Sequence, residues 1–221
     1  MEPTRKPRLK VCCIQSVEEA HLAVRLGAAA LGLVSEMPSG PGVISESAIA
    51  AIARQIPPPI ASFLLTSRQD TAGIVEQQRR TRVSTIQICD RLEVGRHRDL
   101  RVALPGIALV QVVHVTGPES LDEARAVAPE VDALLLDSGN QGLAVKELGG
   151  TGRRHDWSIS RRIREAVPVP VFLAGGLRPE NAAEAVAEVA PFALDVCSGV
   201  RTDGRLDEAK LARLVEAIAT A

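Results

Sequence analysis

Eight short apolar segments recur along the chain, and they alternate with segments that have the pattern of amphipathic helices. The predicted strands are 9–14, 30–34, 59–65, 83–88, 107–115, 131–136, 169–173 and 192–196. Apolar strands that alternate with helices are typical of βα units, whose strands lie parallel. Eight such units predict an α/β fold, a single-domain (β/α)8 TIM barrel. An open doubly wound sheet is the nearest alternative, but it does not require eight evenly spaced strands.

The composition is typical of a barrel and argues against some kinds of binding partner. Of the 221 residues, 46% are hydrophobic but only 2% are aromatic, so Ala, Val, Leu and Ile must fill the core. Strands that are buried on both faces have this composition. A formal net charge of −1 argues against nucleic acid as a partner. The four cysteines lack the spacing of a zinc site, so we expect neither a metal nor a disulfide framework.

Hydropathy and the N-terminal segment indicate the cellular compartment to expect for this chain. No apolar run is long enough to span a bilayer, so no membrane association is expected and a cytoplasmic location is the simplest reading. The basic N-terminus lacks the apolar centre of a signal peptide. We therefore expect a flexible N-terminal arm at residues 1–8 and a barrel at residues 9–221, as a monomer or a homodimer.

Two glycine turns follow the last two predicted strands. Gly175 and Gly176 follow the seventh strand, and Ser198 and Gly199 follow the eighth. Backbone N–H groups can approach an anion closely where no Cβ stands in the way. Barrels of this type often hold phosphate at the loops after strands seven and eight. Either turn alone could be an ordinary βα connection, but the two together predict a phosphate site.

Two residues at predicted strand ends are candidates for proton transfer. Asp137 closes the sixth strand, and Cys12 lies near the end of the first, where alternation puts it on the same face as Lys10. A nearby ammonium favours the thiolate form of a cysteine. A thiolate that faces a carboxyl group could act as a base–acid pair. The alternatives are a structural cysteine and a capping aspartate. Gln87, on the fourth strand, could line the site or fill the interior.

Several motifs together resemble one known family. They are LKVCCI, MPSGPGVIS, IQICD, LLLDS, GGTGRRHDW, FLAGGLRPENAAEAV and ALDVCSGV, and they span nearly the whole chain in order. Their order and spacing are similar to those of phosphoribosylanthranilate isomerase, a barrel of tryptophan biosynthesis. The resemblance implies an Amadori rearrangement of a phosphorylated aminoaldose to an aminoketose, with no cofactor and no metal.

The resemblance also implies roles for individual residues. Cys12 matches the general base that removes the proton from sugar C2, and Asp137 matches the general acid that protonates the ring oxygen. Further positions match loops that surround the substrate phosphate, and these are Gly150, Gly152, Gly175, Gly176, Ser198 and Gly199.

The chain departs from the family pattern on the anthranilate side. Cys13 stands where a glycine is expected, and Gly42 stands where the family has an arginine that meets the anthranilate carboxylate. Arg153, Arg154 or Arg201 could supply the missing charge. Alternation along the first strand predicts that Cys13 points outward. Two alternatives follow from these departures: an isomerase of another phosphosugar conjugate, and a paralogue that binds a phosphorylated ligand without turnover.

Overall fold

The computed structural model describes residues 6–221, which form a closed barrel of eight parallel strands. Strands pair in chain order, and β8 closes the barrel by pairing with β1. The strands are Arg8–Val11 (β1), Ala30–Val34 (β2), Ala61–Thr66 (β3), Thr85–Ile88 (β4), Ala108–His114 (β5), Ala133–Asp137 (β6), Val171–Leu173 (β7) and Ala193–Val196 (β8). The barrel predicted from the alternating segments is confirmed.

A helix follows every strand. The helices are Val17–Arg25 (α1), Glu46–Ala53 (α2), Thr71–Thr81 (α3), His97–Ala103 (α4), Ser120–Val127 (α5), Trp157–Ala166 (α6), Ala182–Val189 (α7) and Glu208–Ala219 (α8). A short antiparallel hairpin, Arg201–Thr202 (β9) with Arg205–Leu206 (β10), lies between β8 and α8 and was not predicted.

The sequence predicts a capping box from Ser16 to Glu19 and a helix cap at Ser45, and side-chain caps are present at both helix starts. Ser45 caps α2, and its hydroxyl accepts a hydrogen bond from the Ala48 N–H at 3.2 Å. Ser16 caps α1 in the same way, accepting from the Glu19 N–H. The Glu19 carboxylate, however, accepts from the Gln15 N–H rather than completing a capping box with Ser16.

Proline is favoured at the first position of a helix, so the sequence predicts that Pro179 opens helix α7, but this prediction is wrong. Pro179 lies in a turn that precedes the helix, and the helix begins at Ala182. Within that turn the Asn181 side chain accepts a hydrogen bond from the Arg178 N–H at 2.9 Å. A side-chain acceptor of this kind satisfies the backbone in a turn and so delays the helix.

The core has two layers, one between sheet and helices and one inside the barrel. Small residues such as Ala30, Ala133 and Ala193 line the interior, and their size leaves room for Phe63 and Phe172. The two rings lie 5.9 Å apart between centroids in a tilted arrangement. They form a floor beneath the C-terminal mouth of the barrel, where the candidate residues gather.

Only part of the predicted N-terminal arm can be placed. Residues 1–5 lie outside the described residues, and Arg8 already belongs to β1. Between residues 6 and 221, no helix is both long and apolar enough to cross a membrane.

Candidate active site

The largest concentration of candidate residues lines one pocket at the C-terminal ends of the strands. Cys12 and Asp137 lie in its wall together with Gln87. The same wall contains most of the predicted phosphate-binding residues, which are Gly150, Gly152, Gly175, Gly176 and Ser198. Residues from six separate stretches of the chain therefore converge on a single cavity, as expected for the mouth of a barrel.

Cys12 directly follows β1 and is 6% exposed. Its N–H donates a hydrogen bond of 2.8 Å to the Val196 carbonyl, which continues the β1–β8 ladder by one residue. The Cys12 thiol lies directly over Gly32 of β2: a Cβ on that glycine would lie 2.7 Å from Cys12 Sγ and 3.2 Å from Lys10 Nζ. Gly32 thus provides space for both the thiol and the ammonium group.

Lys10 is fully buried and lies inside the barrel, below Cys12. Its Nζ lies 2.9 Å from Asp195 Oδ2 on the neighbouring strand and 5.1 Å from the centre of the Phe63 ring. Burial alone would lower the pKa of Lys10, but the Asp195 carboxylate outweighs it and holds that pKa above its ordinary value. A permanent positive charge therefore lies beside the Cys12 thiol, as the alternation along β1 predicted, but outside the pocket wall.

Asp137 ends β6 and is 8% exposed. Its Oδ1 accepts a hydrogen bond of 2.7 Å from the Ser138 N–H. Glycines flank both carboxylate oxygens. A Cβ on Gly149 would lie 2.7 Å from Oδ2, and one on Gly175 would lie 3.1 Å from Oδ1. Side chains at these two positions would displace the carboxyl group or cover it, so the glycines keep it open to the pocket.

The predicted phosphate-binding turns lie close together. Gly152, Gly175 and Gly176 have φ values of 68°, 82° and 65°, a left-handed conformation that favours glycine. A Cβ on Gly152 would lie 3.6 Å from the Ser198 hydroxyl, so loop 149–152 faces the turn after β8. Gly199 packs behind this turn, since a Cβ there would lie 2.0 Å from the Leu177 carbonyl.

Cys13 does not point outward, so that prediction is wrong. Strand β1 ends at Val11, and Cys13 has a φ of 60°, which turns its side chain into the pocket wall. There it occupies the space beside Gly42: a Cβ on Gly42 would lie 2.5 Å from Cys13 Cβ. The two departures from the family pattern are therefore in direct contact.

The three arginines proposed to replace the missing charge are engaged elsewhere and do not line the pocket. Arg153 pairs with Glu147 at the surface. Arg154 pairs with Glu184 at 2.9 Å and stacks on the Trp157 ring. Arg201 is 9% exposed, pairs with Glu19 at 3.0 Å and donates to the carbonyls of Cys12 and Cys13.

The remaining polar side chains near the pocket differ in what they can bind. Gln87 is 4% exposed, and its Oε1 has no hydrogen-bond partner within residues 6–221, so it can accept from a ligand. His114 donates from Nε2 to the Cys89 carbonyl at 3.0 Å, which makes it a structural side chain. Burial raises the pKa of the Cys89 thiol, so this thiol stays neutral.

Two further residues of the site escaped sequence reasoning. Asp195 faces Lys10 across the β1–β8 register, a pairing that requires knowledge of which strands are neighbours. Cys197 lines the pocket beside Ser198, and its sulfur contacts that of Cys13. The predicted closure of the barrel could have revealed both, since it brings the ends of the first and last strands together.

Comparison with known proteins identifies the family of the chain. A model of the family described as N-(5'phosphoribosyl)anthranilate (PRA) isomerase matches residues 9–217. The chain belongs to the phosphoribosylanthranilate isomerase family. N-(5'-phosphoribosyl)anthranilate isomerase 2 of Methanosarcina mazei is 37% identical over 210 residues, which cover 94% of this chain and 92% of that protein.

Solved structures of the family share the barrel. Phosphoribosylanthranilate isomerase of Thermotoga maritima superposes with a TM-score of 0.80 at 26% identity, covering 97% of this chain and all of the other. A phosphoribosylanthranilate isomerase in complex with reduced 1-(o-carboxyphenylamino)-1-deoxyribulose 5-phosphate has a TM-score of 0.78. Its identity is 24%, and it covers 97% of this chain and 100% of that one, so this likeness shows the fold alone.

Proposed function

We propose that this chain catalyses the Amadori rearrangement of N-(5'-phosphoribosyl)anthranilate to the aminoketose, with Cys12 as general base and Asp137 as general acid. The observation that carries the proposal is that both residues line one pocket whose wall also contains the glycine turns. Family membership supports the reaction, and the geometry supports the residues.

In the proposed mechanism, the carboxyl group of Asp137 acts first. In its protonated form it donates a proton to the furanose ring oxygen, the C1–O bond breaks, and the nitrogen lone pair forms a C1–N double bond. Gly149 and Gly175 leave both carboxyl oxygens accessible for this step. The Ser138 N–H, at 2.7 Å from Oδ1, then stabilises the carboxylate that forms.

Cys12 acts on the opened chain. Its thiolate removes the proton from C2, and the released electron pair forms a C1–C2 double bond while the nitrogen becomes neutral. The resulting enol converts to the ketone as its hydroxyl proton is lost and C1 gains one. The buried Lys10 ammonium, paired with the Asp195 carboxylate at 2.9 Å, lies beside this thiol. Proton exchange with solvent returns both groups to their starting states, so the scheme needs no cofactor.

The substrate phosphate is proposed to bind between loop 149–152 and the turns after β7 and β8. These turns expose backbone N–H groups in left-handed conformations, which form concave anion sites. A phosphorylated ligand is named for one of the solved family structures, and the same class of ligand suits this pocket.

A second candidate differs in the group attached to the sugar nitrogen. No Lys or Arg within the described chain lines the pocket, and Cys13 fills the space beside Gly42. An unpaired carboxylate would lose a charge-assisted contact of about 1.5–3 kcal/mol. The second candidate is therefore an isomerase of a phosphoribosyl conjugate that lacks this carboxylate.

Two measurements distinguish the candidates. The gene is tested for growth of a tryptophan auxotroph that lacks this isomerase, and the purified protein is assayed with phosphoribosylanthranilate and with its analogue lacking the carboxylate. Growth and a clear preference for the parent compound support the proposal. Preference for the analogue supports the second candidate, and turnover of neither would leave a protein that binds without catalysis.

A further inference from the structure

Two cysteines from opposite ends of the chain meet at the pocket wall. Cys13 follows β1 and Cys197 follows β8, and these strands are hydrogen-bonded neighbours. Their sulfur atoms lie 2.6 Å apart, although the residues are separated by 184 positions in the sequence. This distance exceeds a disulfide bond of about 2.05 Å by roughly half an ångström.

The surrounding contacts hold the two sulfurs in place. Arg201 donates hydrogen bonds to the carbonyls of Cys12 and Cys13 and pairs with Glu19, which fixes the backbone that carries one sulfur. Ser198 begins a short 3₁₀ turn directly after the other sulfur. Because both backbones are constrained, bond formation requires a small movement of the side chains rather than a rearrangement of the barrel.

The two thiols differ in acidity and in access. The hydrogen bond with Cys13 holds the pKa of Cys197 below its ordinary value, and the nearby Arg201 guanidinium acts in the same direction. Hydrogen bonding with Cys12 and Cys197 instead raises the pKa of Cys13. Cys197 is half-buried in the pocket wall, whereas Cys13 is 4% exposed. Cys197 is thus the thiol that meets a reagent from solution first.

We propose that Cys13 and Cys197 form a reversible redox couple, which closes to a disulfide by exchange with a low-molecular-weight disulfide and thereby switches off the site. The Cys197 thiolate attacks one sulfur of the reagent and releases a small thiolate. Cys13, as it loses its proton, then attacks Cys197 Sγ of the mixed disulfide and releases the second small thiol. Two protein thiols are oxidised, and one reagent disulfide is reduced to two thiols.

Inhibition follows from the neighbours of the two cysteines and rests on the proposed function. Cys13 is adjacent in sequence to Cys12, and Cys197 is adjacent to Ser198 of the phosphate turn. Drawing the two sulfurs together shifts the base and the phosphate turn relative to each other. Misplacement of catalytic groups by a fraction of an ångström to one ångström reduces turnover by up to about a hundredfold.

The chemistry is tested on the full-length protein with 2-hydroxyethyl disulfide, a reagent small enough to enter the pocket. After treatment, the intact mass should fall by two hydrogen atoms, and tryptic digestion should link the peptides 11–25 and 165–201. Because peptide 11–25 contains both Cys12 and Cys13, the variant Cys13→Gly identifies the partner. In this variant the link should be lost, and Cys197 should retain the mixed disulfide.

Two further variants complete the test. Cys197→Ser should form no link, and Cys89→Ser, which keeps both members of the pair, should form it as the wild type does. Turnover of each protein is compared with that of its own reduced form. The wild type and Cys89→Ser should lose at least about tenfold in kcat/KM and recover with dithiothreitol.

Three outcomes would overturn the proposal: a link that persists in Cys13→Gly, no link in the wild type, or a linked wild type with undiminished turnover. The mass measurement does not depend on any substrate, so it separates a failure of this proposal from a failure of the proposed isomerase activity.

Discussion

The proposed phosphate side and the proposed anthranilate side of the pocket, hereafter the phosphate side and the anthranilate side, are built in different ways. On the phosphate side, loop 149–152 and the turns at 175–176 and 198–199 present backbone, and their glycines have conformations or contacts that exclude a side chain. On the anthranilate side, the wall depends on the side chain of Cys13 and its contact with Gly42. A site that binds its ligand through backbone groups tolerates few residue types. A wall made of side chains can instead change when two contacting residues are substituted together.

This difference explains where the chain keeps the family motifs and where it departs from them. Four glycines on that side meet Asp137 or a neighbouring backbone, namely Gly149, Gly175, Gly176 and Gly199. Gly150 meets the Pro41 ring, and Gly152 is restricted by its positive φ of 68°. Cys13 and Gly42 are in direct contact, although the Cys13 sulfur also contacts that of Cys197. A change at Cys13 or Gly42 should therefore be tolerated best when the other changes with it. If the two sides are independent, a substitution on one side should leave ligand binding on the other side intact.

The largest loss of activity is expected from substitution of the proposed base, Cys12, or the proposed acid, Asp137. Cys12→Ala and Asp137→Ala should each reduce kcat by about 10²–10⁴, because each removes one proton-transfer group. Circular dichroism and phosphate-induced thermal protection should remain near wild type, which shows that the fold and the phosphate side persist. If either variant retains near-normal kcat, that residue does not have the assigned role.

A smaller loss, of phosphate affinity, is expected from a substitution on the phosphate side. A Cβ at Gly176 would lie 2.8 Å from the backbone between Arg153 and Arg154, so Gly176→Ala should displace loop 149–152. Loss of two hydrogen bonds to a charged ligand corresponds to about a hundredfold in phosphate affinity. The shift in melting temperature with added phosphate measures that affinity.

Gly106→Ala is the matched control for this change. Gly106 also has a positive φ, of 85°, but a Cβ there would meet nothing within 4 Å. Both variants should lose about 1–3 kcal/mol of stability from the positive φ, and Gly176→Ala should lose more because its Cβ meets the backbone of residues 153–154. Gly106→Ala should keep full phosphate protection. Equal protection in both variants would place the phosphate site elsewhere.

On the anthranilate side, the effect depends on two positions together. The family pattern alone suggests that Gly42→Arg would lower KM about tenfold, but Cys13 obstructs the new side chain. Gly42→Arg alone should impair stability and turnover. Combined with Cys13→Gly, it should lower KM for the carboxylate-bearing substrate by about tenfold. A double-mutant cycle measures the coupling.

Cys13→Gly by itself should be tolerated, because its φ of 60° suits glycine better than cysteine. Additive effects of the two substitutions would contradict the coupling. A gain in affinity from Gly42→Arg alone would show that Cys13 does not block the site.

Sequence reasoning reached the fold and the backbone-built part of the site for a physical reason. Alternating hydrophobicity reports on strands and helices directly, and glycine turns at strand ends mark positions where a side chain is not tolerated. The direction in which the Cys13 side chain points could not be predicted. Side chains alternate between the two faces only within a strand, and β1 ends two residues before Cys13. The contacts of Cys13 with Cys197 and of Lys10 with Asp195 depend on the residue-by-residue register of β1 against β8. The predicted closure makes these strands neighbours, but local patterns do not specify their register.

The smallest expected effect is a loss of folding stability at acidic pH that arises from His155, next to the phosphate side. His155 follows loop 149–152, and its Nε2 lies 2.6 Å from the Ser160 hydroxyl. Burial lowers the pKa of His155 to about 4, although Asp137 and Asp156 partly oppose the shift. In the unfolded chain the ring has a pKa near 6.5. The folded protein therefore binds fewer protons between these values, and stability falls as pH decreases from about 6.5 to 4, with no further loss from this group below that range.

Replacing His155 with Asn should remove this part of the pH dependence. Because the ring is partly exposed and its loop can open locally, we expect a difference of about 1 kcal/mol between pH 7 and pH 4, less than the full linkage. Melting temperatures of both proteins across this range, with and without phosphate, provide the measurement. Phosphate protection should decline with acid more steeply in the wild type than in His155→Asn. Parallel curves for the two proteins would show that the acid response of the phosphate side arises from other groups.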